Sequence, residues 1–101
     1  MIGAIIGDIV GSRFEFGPAP LKSFELFTPD CSYTDDTICT IAIADAVLNE
    51  RDYKDSLLDW CRRYPEPMGG YGKQFYQWIN SNNPQPTDSF GNGSAMRVSP
   101  I

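Results

Sequence analysis

The chain has 101 residues, of which 42% are hydrophobic and 21% charged, and its formal net charge is −5. This length and composition fit one small globular domain and exclude wholesale disorder, and the acidic balance argues against a nucleic-acid partner. The sequence contains no histidine, which excludes Ser-His-Asp and Cys-His catalysis within this chain and removes the commonest zinc ligand.

The cysteines and the N-terminus indicate the cellular compartment that we expect for the chain. Cys31, Cys39 and Cys61 form no Cys-x-x-Cys pair, and an odd number of cysteines suits reduced thiols better than a disulfide framework. The N-terminus lacks the basic region of a signal peptide, its apolar run is broken by Asp8, and no stretch is long enough to span a membrane. We therefore expect a soluble cytoplasmic protein without a membrane partner.

A first helix is predicted at the N-terminus, because apolar residues recur there with a helical period. They are Ile2, Ile5, Ile6, Ile9 and Val10. Gly3, Gly7 and Gly11 recur on a neighbouring face. Since each glycine costs a helix about 1 kcal/mol relative to alanine, their repetition suggests close approach of another backbone or a ligand. Asp8 and Glu15 would share one side if the helix continued past Gly11, or both are solvated acids at a helix edge.

The second predicted helix follows a proline-containing loop that runs from Phe14 to Asp30. The run from Ile38 to Leu48 is apolar on nearly every side, which is typical of a buried helix. Just before it stands Tyr33-Thr34-Asp35-Asp36-Thr37. One interpretation makes Thr34 the N-cap, with two acids in the first turn favoured by the helix dipole. The other makes the carboxylates and hydroxyls an oxygen ligand set for Mg²⁺, Mn²⁺ or Ca²⁺.

Two more helices are predicted further along the chain. Asp52 begins the third, with Asp55 in a position typical of a capping box, and Arg62 and Arg63 suit its last turn. The fourth is predicted over about Lys73 to Asn80, and its aromatic residues are more typical of a core than of a cofactor site.

The C-terminal stretch begins with a predicted loop, Ser81 to Phe90, that is rich in Pro, Asn, Asp and Ser. Ser94 is expected to cap a short helix entered through Gly91-Asn92-Gly93, whose backbone N–H groups could cradle an anion or simply form a turn. Arg97 either clamps a phosphate or is solvated. Strand signals are weak throughout, so the predicted fold class is all-α.

Four separated motifs resemble one family in their order and approximate spacing. They are Gly7-Asp8-Ile9-Val10-Gly11-Ser12-Arg13-Phe14-Glu15, Tyr33-Thr34-Asp35-Asp36-Thr37, Gly70-Tyr71-Gly72 and Ser89-Phe90-Gly91-Asn92-Gly93-Ser94-Ala95-Met96-Arg97. Together they resemble the ADP-ribosylglycohydrolases, the family of the dinitrogenase-reductase-activating glycohydrolase. The final glycine-rich motif is the most specific of the four.

The resemblance implies an orthogonal all-α bundle that holds two Mg²⁺ or Mn²⁺ ions. Such a protein cleaves the glycosidic bond between ADP-ribose and an acceptor, on an ADP-ribosylated protein or a small molecule. By the matched motifs, the implied metal ligands are Thr34, Asp35 and Asp36, and the implied catalytic residues are Glu15 and Asp36. The implied substrate-binding residues are Asp8, Gly72, Ser89, Phe90, Gly91, Asn92, Gly93, Met96 and Arg97.

The match also departs from the family, whose members are longer and supply further metal ligands from a C-terminal Asp-x-Asp-Thr/Ser motif. Nothing here fits that motif, and other aspartates lie outside any matching one: Asp45, Asp52, Asp55, Asp59 and Asp88. We therefore expect residues 1–101 to be the N-terminal part of a single domain, with half of the metal site and little or no activity alone. The alternatives are a non-catalytic module that binds ADP-ribose or a partner, and a metal-dependent phosphoesterase.

A chain that is only the N-terminal part of a domain is also expected to associate. Missing helices should leave the apolar faces of Ile38 to Leu48 exposed, and exposed apolar patches drive association. We therefore expect self-association or binding of a complementing C-terminal segment.

Overall fold

The computed structural model describes residues 1–20, 22–87, 91 and 93–101. Over these ranges the chain forms helices joined by loops: α1 (Ile2–Gly11), a 3₁₀ turn (Ser12–Phe14), α2 (Asp35–Leu48), α3 (Tyr53–Arg63), α4 (Lys73–Ile79) and α5 (Gly93–Met96). The all-α prediction is confirmed. None of the helices in the described ranges has the length and apolar character needed to cross a bilayer.

α2 is the central helix, and its start is fixed by a capping box. The Thr34 side chain accepts a hydrogen bond from the backbone N–H of Asp36, and the Thr37 hydroxyl accepts one from the backbone N–H of Thr34. Most of the helix is buried, at Thr37, Ile38, Cys39, Thr40, Ala42, Ile43, Ala44 and Ala46. Ile38 and Cys39 meet Cys61 of α3 and Ile79 of α4 in the core. Both the N-cap and the buried helix predicted from the sequence are confirmed.

The expectation that the apolar faces of α2 would be exposed is wrong. Only its C-terminal end is open, where Val47 is 41% and Leu48 76% exposed. The physical reason is that α3 packs along α2, and the buried Ser56 hydroxyl donates to the Ala42 carbonyl oxygen at 2.6 Å. The short chain therefore covers its central helix by itself.

The exposed apolar helix is instead α1, in which no residue is buried. Ile2 is 64% and Ile6 46% exposed, and the other apolar residues of the predicted face, Ile5, Ile9 and Val10, are only half-buried. A Cβ atom added at Gly3, Gly7 or Gly11 would meet nothing within 4 Å. Close approach of another part of the described chain, one of the two alternatives expected at these glycines, is therefore not found.

Charged side chains stabilise the start of α3 and join its other end to α4. The Asp52 carboxylate accepts the backbone N–H of Asp55 at 3.0 Å, as the predicted N-cap of α3 requires. Arg62 donates to the carbonyl oxygens of Ile79 and Ser81 at 2.9 and 3.1 Å. Because the last carbonyls of a helix have no partner within it, these bonds tie the end of α4 to α3.

Candidate active site

The first motif and the acidic motif meet where α1 packs on the start of α2. Thr34 is fully buried, and its hydroxyl lies 2.8 and 2.7 Å from the two carboxylate oxygens of Asp8, to which it donates. The Thr37 hydroxyl also donates to Asp8. Asp8 therefore acts as the acceptor that holds two hydroxyls of the capping box, a contact that spans more than twenty residues of sequence.

A turn between α3 and α4 closes over the same place. The Met68 N–H donates to the Tyr33 carbonyl oxygen at 3.1 Å. Gly69 and Gly70 follow with φ angles of 81° and 70°, which only glycine adopts without strain. A Cβ atom at Gly69 would lie 3.0 Å from the Phe16 ring and 3.8 Å from a carboxylate oxygen of Glu15. The turn therefore brings the segment after α1 against the start of α2.

Glu15 lies among the other acids of this region. Its pKa is raised by partial desolvation and further by the negative charges of Asp35, Asp36 and Asp8. Burial also raises the pKa of Asp35, helped by Asp36 and opposed by the guanidinium of Arg97. The pKa values of Glu15 and Asp35 are thus both raised by burial and by neighbouring carboxylates, as is common for acids at functional sites.

Arg97, just after α5, supplies the positive charge of the site. Its Nη2 donates to Asp35 at 2.9 Å and its Nε to Asp36 at 3.0 Å, and the arginine side chain is only 15% exposed. The guanidinium lies 5.1 Å from the centre of the Phe75 ring. It also folds back over Gly93, where an added Cβ atom would lie 3.1 Å from Cζ.

The predicted site residues fall into three groups. The structure brings together Asp8, Glu15, Thr34, Asp35, Asp36, Gly93 and Arg97. Gly72 is the N-cap of α4, where its carbonyl accepts the Tyr76 N–H at 2.8 Å. Gly91, before α5, and Met96, the last residue of α5, are exposed. Ser89, Phe90 and Asn92 lie outside the described residues, as does Asp88.

One local prediction in the final motif is wrong. α5 begins at Gly93, so Ser94 lies inside the helix instead of capping it. The helix begins two residues earlier than a Ser94 cap would place it, and Gly93, its first residue, leaves the space that the Arg97 side chain fills.

The sequence analysis gave Thr37 only as a hydroxyl of the acidic motif and did not place Phe75 in the site. Thr37 donates to Asp8, and its position three residues after an N-cap could have indicated a capping partner. Phe75 lies under Arg97, and no local sequence signal separates it from the other aromatic residues of α4.

Three other aspartates of the described chain have structural partners. Asp45 accepts from Trp60 Nε1 at 2.9 Å and pairs with Arg51, and Asp59 pairs with Arg63. Asp52 caps α3. They do not join the acids at the start of α2.

Comparison with known families decides the identity of the chain. A family model described as ADP-ribosylglycohydrolase matches residues 1–101, the whole chain. The chain belongs to the ADP-ribosylglycohydrolase family. No solved structure gives a significant match. Membership in the ADP-ribosylglycohydrolases confirms the resemblance drawn from the four motifs and supports a glycohydrolase-type function.

The metal ions implied by the motifs do not fit the site as it is arranged. Asp35 and Asp36 both accept from Arg97, and the buried Thr34 hydroxyl oxygen accepts the Asp36 N–H. Among the residues that the structure describes, no three Asp, Glu or Cys side chains form a group that could hold a metal ion. The assignment of Thr34, Asp35 and Asp36 as metal ligands stays a prediction.

Proposed function

We propose that this chain hydrolyses the glycosidic bond between ADP-ribose and an acceptor, on a protein side chain or a small molecule. The observation that carries the proposal is the placement of Glu15 near Asp35, Asp36 and Asp8, where partial desolvation and then the charges of these three acids raise the pKa of Glu15. In a chain of the ADP-ribosylglycohydrolase family, such a carboxyl group suits proton transfer at the reacting bond.

The reaction balances with a single water molecule. The water oxygen forms a bond to the anomeric carbon of the ribose, the glycosidic bond breaks, and the acceptor leaves with the bonding electrons. Glu15 takes the proton from water and returns it to the leaving acceptor, and a pKa raised above the ordinary value makes the carboxyl group a better base for the first transfer. The negative charges of Asp35 and Asp36 favour the positive charge that develops on the anomeric carbon as that bond breaks.

A second candidate function is non-catalytic binding of ADP-ribose. It is favoured by the pairing of Arg97 with both Asp35 and Asp36, because carboxylates neutralised in this way stabilise a positive transition state poorly. We therefore expect weak or no turnover from the chain in this arrangement.

The test is a product analysis on the purified chain. The substrates are an ADP-ribosylated arginine peptide, an ADP-ribosylated serine peptide and the acetyl ester of ADP-ribose, each with and without Mg²⁺, with products separated by chromatography. Free ADP-ribose that is lost in Glu15→Gln but kept in Glu66→Gln supports the hydrolase, since Glu66 is an exposed acid of the α3–α4 turn. AMP with ribose phosphate indicates a phosphoesterase instead. No product, together with calorimetric binding of ADP-ribose, indicates the binding module.

A further inference from the structure

We propose that Arg97 is the resident cation of the Asp35–Asp36 pair, and that a divalent ion binds this pair only by displacing it. Arg97 would be bonded to these two acids whichever substrate the site takes.

The contacts of Arg97 engage both acids at once. Two different nitrogens of the guanidinium bond two different carboxylates, at 2.9 Å to Asp35 and 3.0 Å to Asp36. All three side chains are largely withdrawn from water, with exposed fractions of 15% for Arg97, 18% for Asp35 and 26% for Asp36. Screening by solvent is reduced for charges placed in this way, so the pair is held more firmly than a surface ion pair.

Phe75 and Gly93 accommodate the guanidinium group of Arg97. The Phe75 ring lies 5.1 Å from Cζ of Arg97, a distance at which a cation is attracted to an aromatic face. Gly93 leaves room for the side chain to pass. By contrast, Arg63 pairs with Asp59 while 52% of its side chain is exposed. Arg97 is thus held by three helices or their ends, whereas Arg63 lies on the surface.

The same contacts make the guanidinium and a divalent ion mutually exclusive. A metal ion would need the oxygens of Asp35 and Asp36 that Arg97 now bonds. Two cations bound to the same pair of carboxylates would repel each other strongly at such short range. The Thr34 hydroxyl is engaged on both sides, because its oxygen accepts the Asp36 N–H and its hydrogen is donated to Asp8.

The experiment is a calorimetric titration of the purified chain with MnCl₂ and, separately, MgCl₂. If Arg97 is bonded to Asp35 and Asp36 in most molecules, only the remaining fraction of molecules can bind a metal ion. Removing Arg97 then raises the apparent metal affinity by the inverse of that fraction. Arg97→Met should therefore bind Mn²⁺ at least about tenfold more tightly than the unaltered chain. Arg63→Met, the matched control, should bind like the unaltered chain. Asp35→Asn/Asp36→Asn added to Arg97→Met should remove the gain.

Two results would overturn the inference. One is equal metal affinity of Arg97→Met and the unaltered chain, and the other is no metal binding by an Arg97→Met chain that circular dichroism shows to be folded. If Arg97→Met does not fold, Arg97→Lys decides, because lysine keeps the charge but has one nitrogen and no planar group to lie on Phe75. We expect Arg97→Lys to bind about threefold more tightly, and an unchanged affinity in a folded Arg97→Lys chain contradicts the inference.

Discussion

Thr34 shows how one residue serves both the helix and the site. Its side chain caps α2 by accepting the Asp36 N–H, and its hydroxyl hydrogen binds the Asp8 carboxylate. Because the residue is fully buried, neither bond can be replaced by water. The geometry of the acids at the start of α2 therefore depends on the same hydroxyl that starts the helix.

Replacement of Thr34 by valine is expected to lower the free energy of unfolding by about 2 kcal/mol, from the lost cap and the unpaired Asp8 carboxylate. Thr34→Ser keeps the hydroxyl and should lose much less. Urea denaturation followed by circular dichroism measures both. Equal losses in the two variants would mean that the methyl group contributes as much to stability at this position as the hydroxyl.

Glu15→Gln should stabilise the protein in a pH-dependent way. The folded state raises the pKa of Glu15 above the ordinary value of 4.5, so the ionised carboxylate opposes folding above the folded pKa. Below pH 4.5 the group is protonated in both states and has no effect. Since Glu15 is exposed and screened by solvent, we expect Tm to rise by only about 1–3 °C at pH 7.

Scanning calorimetry at pH 4 and pH 7 tests this, with Glu66→Gln as the control. The gain should shrink in high salt. A larger gain at pH 4 than at pH 7 would contradict the electrostatic explanation.

At the scale of the helix, α2 ends in a motif that normally uses glycine. The Arg51 N–H reaches back to the Ala46 carbonyl oxygen at 2.9 Å, the long bond of a Schellman motif. The residue before it, Glu50, has a φ of 51°, in the left-handed region that is costly for residues with a Cβ atom.

Glu50→Gly is therefore expected to raise the free energy of unfolding by about 0.5–1 kcal/mol. Glu50→Ala, which removes the charge but keeps the Cβ atom, should change little. Urea denaturation of the two variants gives the comparison. A stabilising Glu50→Ala with a neutral Glu50→Gly would assign the effect to charge instead of backbone conformation.

The helices themselves were predictable because their signals are local. The period of α1, the Thr34 and Asp52 caps and the prolines between helices all act within a few residues. The pairing of Arg97 with Asp35 and Asp36 was not predictable, because it joins positions 61 and 62 residues apart. The motifs brought the right acids into one candidate site, but local pattern could not indicate that Arg97 would neutralise two of them.

At the scale of the whole molecule, exposed apolar surface lies away from the buried central helix. Large exposed side chains occur on α1 and on the segment that follows it: Ile2, Ile6, Phe16, Phe24, Leu26 and Phe27. On α2, which the sequence analysis predicted to drive association, the exposed large apolar side chains are only those of Val47 and Leu48 at its end. Any association of the chain should therefore involve α1.

We expect the chain to self-associate at high concentration and Ile2→Lys/Ile6→Lys to weaken that association. Apolar side chains exposed together favour contact with another copy, and lysines at the same positions oppose it. Val47→Lys/Leu48→Lys, at the open end of α2, should have a smaller effect. Light scattering over a concentration series measures all three chains. A compact monomer of the unaltered chain at high concentration would contradict the expectation.

The aromatic rings beneath Arg97 give the site an optical signal of its own. The Phe75 ring that carries the guanidinium is stacked on Trp78, with centroids 5.6 Å apart and planes inclined by 25°. Indole emission responds to nearby charge and to the order of its surroundings, so movement of Arg97 should change the wavelength or intensity of Trp78 fluorescence. With Trp60 replaced by phenylalanine, the remaining tryptophan would report the position of the guanidinium in real time, without a label.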